Sequence, residues 1–151
     1  MTQVKDKTDQ QLNRALAELM GWRVIQSHTA ETGGGSPYYQ LVAPGYGGRH
    51  YREPEDTWKS VPDYCTDPAA SLEVQAKAIA DNKLIYLNAL LSLVSPGEDI
   101  QFGLGGSMEV VGYNIDGTSA MLTASPRERA EAAYITLSIS KEDLNGTVGY
   151  R

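Results

Sequence analysis

The octapeptide GYGGRHYR, Gly45 to Arg52, holds the chain's densest set of side chains able to grip a small ligand with a ring and an anionic group. Arginine makes bidentate hydrogen bonds to phosphate. Tyrosine stacks on a flat ring and offers a hydroxyl. Glycine lets the backbone approach a phosphate closely. Tyr46, Arg49, His50, Tyr51 and Arg52 supply these contacts within one short run, and Trp58 follows. Arg127 and Arg129 form a second basic pair, in the first turn of an expected helix. Free backbone N–H groups there favour anions, while the dipole disfavours cations, so two arginines in that turn call for a reason. An ordinary i,i+4 pair between Arg127 and Glu131 is the alternative. The eight residues together are the expected ligand-binding set, and a nucleotide-like small molecule is the expected ligand.

Other chemistry finds less support. Cys65, the single cysteine, stands two residues before the expected helix cap Asp67. A helix N-terminus lowers a thiol pKa, but Asp63 and Asp67 flank the sulfur and oppose that. Cys65 is therefore expected to be a small buried apolar residue. Trp58 and Tyr64 are expected to plug the space between helix and sheet, with the floor of a flat-ligand pocket as the sharper alternative. His28, His50 and Cys65 have no zinc spacing. The acidic runs Glu53/Glu55/Asp56 and Glu98/Asp99 do not follow the calcium-loop pattern. GLGGSM, Gly103 to Met108, is followed by an expected strand, not by the helix of a dinucleotide site, and no G-x-x-x-x-G-K-[ST] occurs. The expectation is a protein without catalytic residues, metal or cofactor.

The elements that must position these residues follow from local signals. Thr8 or Asp9 caps a helix whose apolar face is Leu12, Ala15, Leu16, Leu19 and Met20, ended by Gly21. A strand over 23–28 and a second over Tyr38–Val42 flank the flexible run ETGGGSP and pair as a hairpin. From Pro44 to Val61 no period is visible, which predicts a long ordered loop. Asp67 as N-cap and Pro68 at N1 begin a second helix, with Leu72, Ala76, Ile79 and Ala80 inward and a break at Asp81–Asn82. It continues to about Val94, a buried strand over 84–94 being the alternative. Met108–Ile115 and Thr118–Thr123 read as strands around an Asp116–Gly117 hairpin turn. Ser125 and Pro126 open the last helix, with Ala130, Ala133, Tyr134 and Leu137 inward, to about Ile139.

Hairpins alternating with helices predict an α+β fold: an antiparallel sheet from two hairpins sandwiched by helices in three layers. Residues 1–7 are expected as a disordered lead, 8–140 as a single domain and 141–151 as a polar tail. At 151 residues the chain suffices for one core. Its net charge of −6 argues against a nucleic-acid polymer as partner. A single cysteine suits a reducing compartment. The start MTQVKDKTDQ lacks the apolar stretch of a signal peptide, and no run of about 20 apolar residues would enter a membrane.

Three segments carry a family likeness: LNRALAELMGW, then W-x-x-VPDYCTDPAASLEVQAKAI, then TASPRERAEAAYITL. Together they resemble the phage ABA-sandwich family of small phage and prophage proteins, over about half the chain. The resemblance implies a sheet between helices, a phage or prophage origin and action in the host cytoplasm. It implies no catalytic residues. Sequestration of a host defence signal by a homo-oligomer is the function expected on that basis. An interaction module acting on a host or phage protein is the alternative.

Overall fold

A computed structural model describes residues 4–27, 37–97 and 115–146. Helix α1 (Asp9–Leu19) starts at a reciprocal cap. The Thr8 hydroxyl accepts from the Gln11 N–H, and the Gln11 side chain accepts from the Thr8 N–H. Two backbone donors that the helix leaves open are thereby satisfied. Leu12, Leu16 and Ala17 are buried. At the other end Gly21 takes φ 90°. The Gly21 N–H reaches the Glu18 carbonyl and the Trp22 N–H the Ala17 carbonyl. This paired closure turns the chain sharply into strand β1 (Arg23–Ser27). Residues 4–7 are not a free lead: Val4–Asp6 is a 3-10 turn, and Val4 is buried against the helical core.

Helix α2 (Pro68–Val94) follows the cap signals closely. The Asp67 carboxylate accepts from the Ala69 N–H, and Pro68 fills N1. The break falls at Asn82, whose backbone leaves the helix (φ −152°, ψ 91°). Its side chain accepts from the Ile85 N–H and so caps the second half. Residues 84–94 are helical, which removes the strand alternative. The inward face differs from expectation. Ala70, Ser71, Val74 and Ala78 are buried, whereas Leu72 and Ile79 are 49% and 37% exposed, and Ala76 and Ala80 also face water. Packing explains this. Small residues on both helices let α2 lie closely against α4 (Pro126–Gly146), which contributes Ala130, Ala132, Ala133 and Thr136. Helix α4 opens on a second reciprocal cap between Ser125 and Glu128 and runs past the expected end near Ile139.

The second hairpin is a correction. Asp116, Gly117 and Thr118–Leu122 belong to helix α3 (Ile115–Leu122), which packs on α2. Of the expected strand over 108–115 all but Ile115, which begins α3, lies outside the described residues, as do the run over 103–108 and, Pro37 excepted, the turn over 31–37. The sheet instead gains its third strand from the segment expected to be a loop. Strands β1, β2 (Tyr38–Ala43) and β3 (Tyr46–Tyr51) form an antiparallel meander. Pro44 and Gly45 make the β2–β3 turn, with Gly45 at φ 78°, the Pro-Gly pairing that a type II turn uses. The chain is thus α+β with a three-stranded antiparallel sheet.

The main core is helical: α1, α2 and α4 close around Tyr64 and Cys65. Leu41, the only fully buried sheet residue among those described, stands apart from that cluster. The sheet leans chiefly on the 3-10 segment Pro54–Ser60. No described helix is long and apolar enough to cross a membrane.

Candidate functional site

Strand β3 divides the octapeptide between two faces. Cross-strand partners share a face, and Ala43 pairs with Tyr46 while Tyr39 pairs with Tyr51. A bulge between Gln40 and Val42 adds one residue to β3. Two tyrosines five apart, which a regular strand would set on opposite faces, therefore lie on the same face as Leu41. His50 pairs with Gln40 on the other face, its ring 6.2 Å from that of Tyr38. Arg49 and Arg52 are exposed.

Several of the eight expected residues serve the fold. The Tyr51 hydroxyl bonds to that of Ser60 at 2.7 Å, tying β3 to the 3-10 segment. Trp58 is half-buried, with the Arg14 guanidinium 4.6 Å from its ring centre. Arg14 is itself paired with Glu55 at 2.6 Å and Glu18 at 3.3 Å. Trp58 thus packs beneath an ion-paired arginine. Arg129 stands near enough to Tyr86 to act on its hydroxyl electrostatically.

Arg127 is committed inside the molecule. Its Nε donates to Glu131 at 2.6 Å, one terminal nitrogen donates to the Asp9 carboxylate, and the other donates to the Lys7 carbonyl at 2.7 Å. The pair with Glu131 is present, but it is one arm of a three-way tie joining α4, α1 and the N-terminal turn. That tie is the reason for an arginine in a helix's first turn. Arg127 is therefore engaged within the fold, whereas Arg49 and Arg52 are exposed.

The same tie surrounds Cys65. Its N–H donates to the Asn13 side chain, and its sulfur faces the Asp9 carbonyl at 3.7 Å. Burial pushes the thiol pKa up to about 11, against the pull of Arg127. A thiol held protonated is a packing residue and not a nucleophile.

A groove opens where α1 ends and the sheet begins. It encloses about 530 Å³ and is lined by Met20, Trp22, Ala43, Pro44, Tyr46, Ser60, Pro62 and Glu73. The Trp22 and Tyr46 rings lie 5.1 Å apart, tilted by 52°. Tyr46 remains 48% exposed, a large ring held at the mouth. Tyr64 lies buried nearby, its hydroxyl without a hydrogen-bond partner among the described residues. Burial, and then the Glu73 carboxylate, push its pKa up to about 12, while the Trp22 indole approaches it outside good hydrogen-bond geometry. A second hollow of about 430 Å³, lined by Gly21, Arg23, Val42, Ala43 and Pro44, adjoins the groove across the Ala43–Pro44 ridge.

Of the expected set, the groove uses only Tyr46. Trp22, Glu73, Pro62 and Arg23 were not singled out as ligand contacts by sequence reasoning. The signal that would have found them is the Pro44–Gly45 dipeptide. Read as a hairpin turn, it pairs Tyr46 with Ala43 and returns the strand beside the Gly21–Trp22 exit from α1. No group of three or more His, Cys, Asp or Glu placed to hold a metal occurs among the described residues. Comparison with family models, with curated proteins and with solved structures finds no match to this chain.

Proposed function

We propose that this chain is a non-catalytic binding protein that takes up a nucleotide-like small molecule in the groove between α1 and the sheet. The observation that carries the reading is the Trp22–Tyr46 pair, with the Tyr46 ring held half-exposed at the groove mouth. An exposed aromatic ring beside a second ring is a stacking platform, and stacking of one base contributes about 1–3 kcal/mol. The Ser60 hydroxyl and Glu73 carboxylate suit the hydroxyls of a sugar or an exocyclic amine. Across the ridge, the Arg23 guanidinium offers the charge for a phosphate. The likeness to the phage ABA-sandwich proteins supports the rest of the reading: a three-layer sandwich, a phage origin, action in the host cytoplasm and sequestration of a defence signal.

Calorimetric titration with adenosine monophosphate and with ADP-ribose tests the proposal. At least one should bind, and Tyr46→Ala should weaken it by about 1–3 kcal/mol, roughly five- to 150-fold. The melting temperature should hold, because the Tyr46 ring is half in water. Failure of both ligands to bind, or indifference to Tyr46→Ala, would favour the second reading. That reading is an interaction module for a host or phage protein. It is favoured by Glu73 being the only charged residue in the aromatic groove among the described residues, a sign that suits a cationic side chain on an apolar segment.

A further inference from the structure

We propose that the groove between α1 and the sheet selects guanine over adenine, through the Glu73 carboxylate. The inference rests on the nucleotide reading above and names the base. An ionised carboxylate only accepts hydrogen bonds, and its two oxygens sit side by side. It therefore pairs best with two neighbouring donors. Guanine carries that pattern on its base-pairing edge, where the N1 proton stands beside the N2 amine. Adenine sets its N6 amine beside N1, an acceptor whose lone pair a carboxylate oxygen repels. Cytosine has the same mismatch, with its N4 amine beside N3. Glu73 is the only charged residue lining the groove among the described residues, and it has no ion pair or hydrogen bond within them. Both of its oxygens are open to a base.

The surroundings of Glu73 fit the rest of that edge. Ser60 lines the same groove, and its hydroxyl is bonded to that of Tyr51 at 2.7 Å. Either hydroxyl can donate in that bond. With Tyr51 as the donor, the Ser60 proton is left for a carbonyl, and guanine O6 is the carbonyl next to N1. Adenine has no carbonyl to receive it. Orientation follows from the two ends of the ligand. The Tyr46 ring at the mouth takes the flat face of the base. Arg23 draws the phosphate into the hollow across the Ala43–Pro44 ridge. In a purine nucleotide the sugar and phosphate leave from N9, across the ring system from the base-pairing edge. A phosphate beyond the ridge therefore leaves that edge in the groove that Ser60 and Glu73 line. At about 530 Å³ the groove falls in the range of small-ligand pockets. Glu73 is exposed, so water competes for its oxygens. The preference is accordingly about tenfold, far short of what a fully buried polar site achieves.

Calorimetric titration of the full chain with guanosine, inosine and adenosine monophosphates tests this. All three offer a purine face and the same phosphate, and differ only on the base edge. The guanosine nucleotide should bind about tenfold more tightly than the adenosine one. The inosine nucleotide keeps the N1 proton and O6 but lacks the N2 amine, and should fall between them. Glu73→Gln should weaken the guanosine nucleotide about tenfold. It should leave the adenosine one no weaker, since an amide offers adenine both a donor and an acceptor. The melting temperature of this variant should match that of the wild type, because the side chain is exposed. A guanosine nucleotide no tighter than the adenosine one overturns the preference and leaves the nucleotide reading standing. So does a guanine preference that survives Glu73→Gln, or an inosine nucleotide that binds as tightly as the guanosine one. Binding by none of the three removes the nucleotide reading, and the base preference with it.

Discussion

Arg127 serves three acceptors at once, and its neighbour Glu131 is buried apart from that contact. Removing one partner of a buried pair costs more than the pair contributes, because the other charge is left stranded. Arg127→Ala should therefore lower stability by about 2–4 kcal/mol in urea unfolding, while Arg49→Ala and Arg52→Ala leave it nearly unchanged. Arg127→Lys should recover only part of the loss, since an ammonium lacks the planar fork that spans three acceptors. Cys65, Tyr64 and Tyr86 share a different dependence. Burial pushes their pKa values up to about 11, about 12 and about 12. In the unfolded chain they ionise near their ordinary values, about 8.5 for the thiol and about 10 for the phenols. The folded state keeps its protons longer, so their contribution is complete below pH ~8.5 and is lost as pH climbs toward 12. The urea midpoint should begin to fall near pH 9. In Cys65→Ala the fall should start later, near pH 10, and an unchanged onset would exclude the thiol as its source.

At the scale of elements, each half of α2 carries its own cap. Asn82→Ala removes the acceptor for the Ile85 N–H and should cost about 1 kcal/mol, as lost N-caps do. A thermal melt without any shift would mean that the second half holds its start by packing alone. The Asp67 cap of α2, the place of its break and the start and stop of α1 were legible in the sequence, because those signals act within a few residues. What escaped was decided at longer range. Leu72 and Ile79 look like core residues in isolation. They face water because α4 packs on the side of α2 that carries Ala70, Ser71, Val74 and Ala78, which has no side chain as large as leucine or isoleucine. Asp116–Gly117 has the residues of a hairpin turn, yet the chain around it is helical against α2. Strand β3 has two glycines and no alternation, so its pairing with β2 and the turn at Pro44–Gly45 define it better than its own composition. The groove was hidden for the same reason. Trp22 and Tyr46 meet only after that turn has closed.

Across the whole molecule, stability is unevenly divided. The large buried cluster belongs to α1, α2 and α4, whereas the sheet contributes Leu41 outside it. Backbone amides protected by few buried contacts exchange through local opening, at a free energy below that of global unfolding. Native-state hydrogen exchange should show β1, β2 and β3 opening before α4 and the first half of α2. Equal protection throughout would mean that sheet and helices unfold as one unit. A groove walled on one side by the stable helices and on the other by the looser sheet has room to adjust to an occupant. A bound ligand that bridges Trp22 and Tyr46 should accordingly raise protection in the sheet more than in α4.

The tie made by Arg127 also bears on how the chain is born. Its contacts with Asp9 and Lys7 span 118 and 120 residues. At a synthesis rate of about 5–20 residues per second, roughly 6–24 s separate the emergence of α1 from that of its anchor. During that interval the Leu12 and Leu16 face has no α4 to rest on. Helix α1 is made before α2 and α4 and is secured only when α4 has followed. A ribosome stalled before residue 126 should hold a nascent chain whose N-terminal segment remains open to proteases and to chaperones.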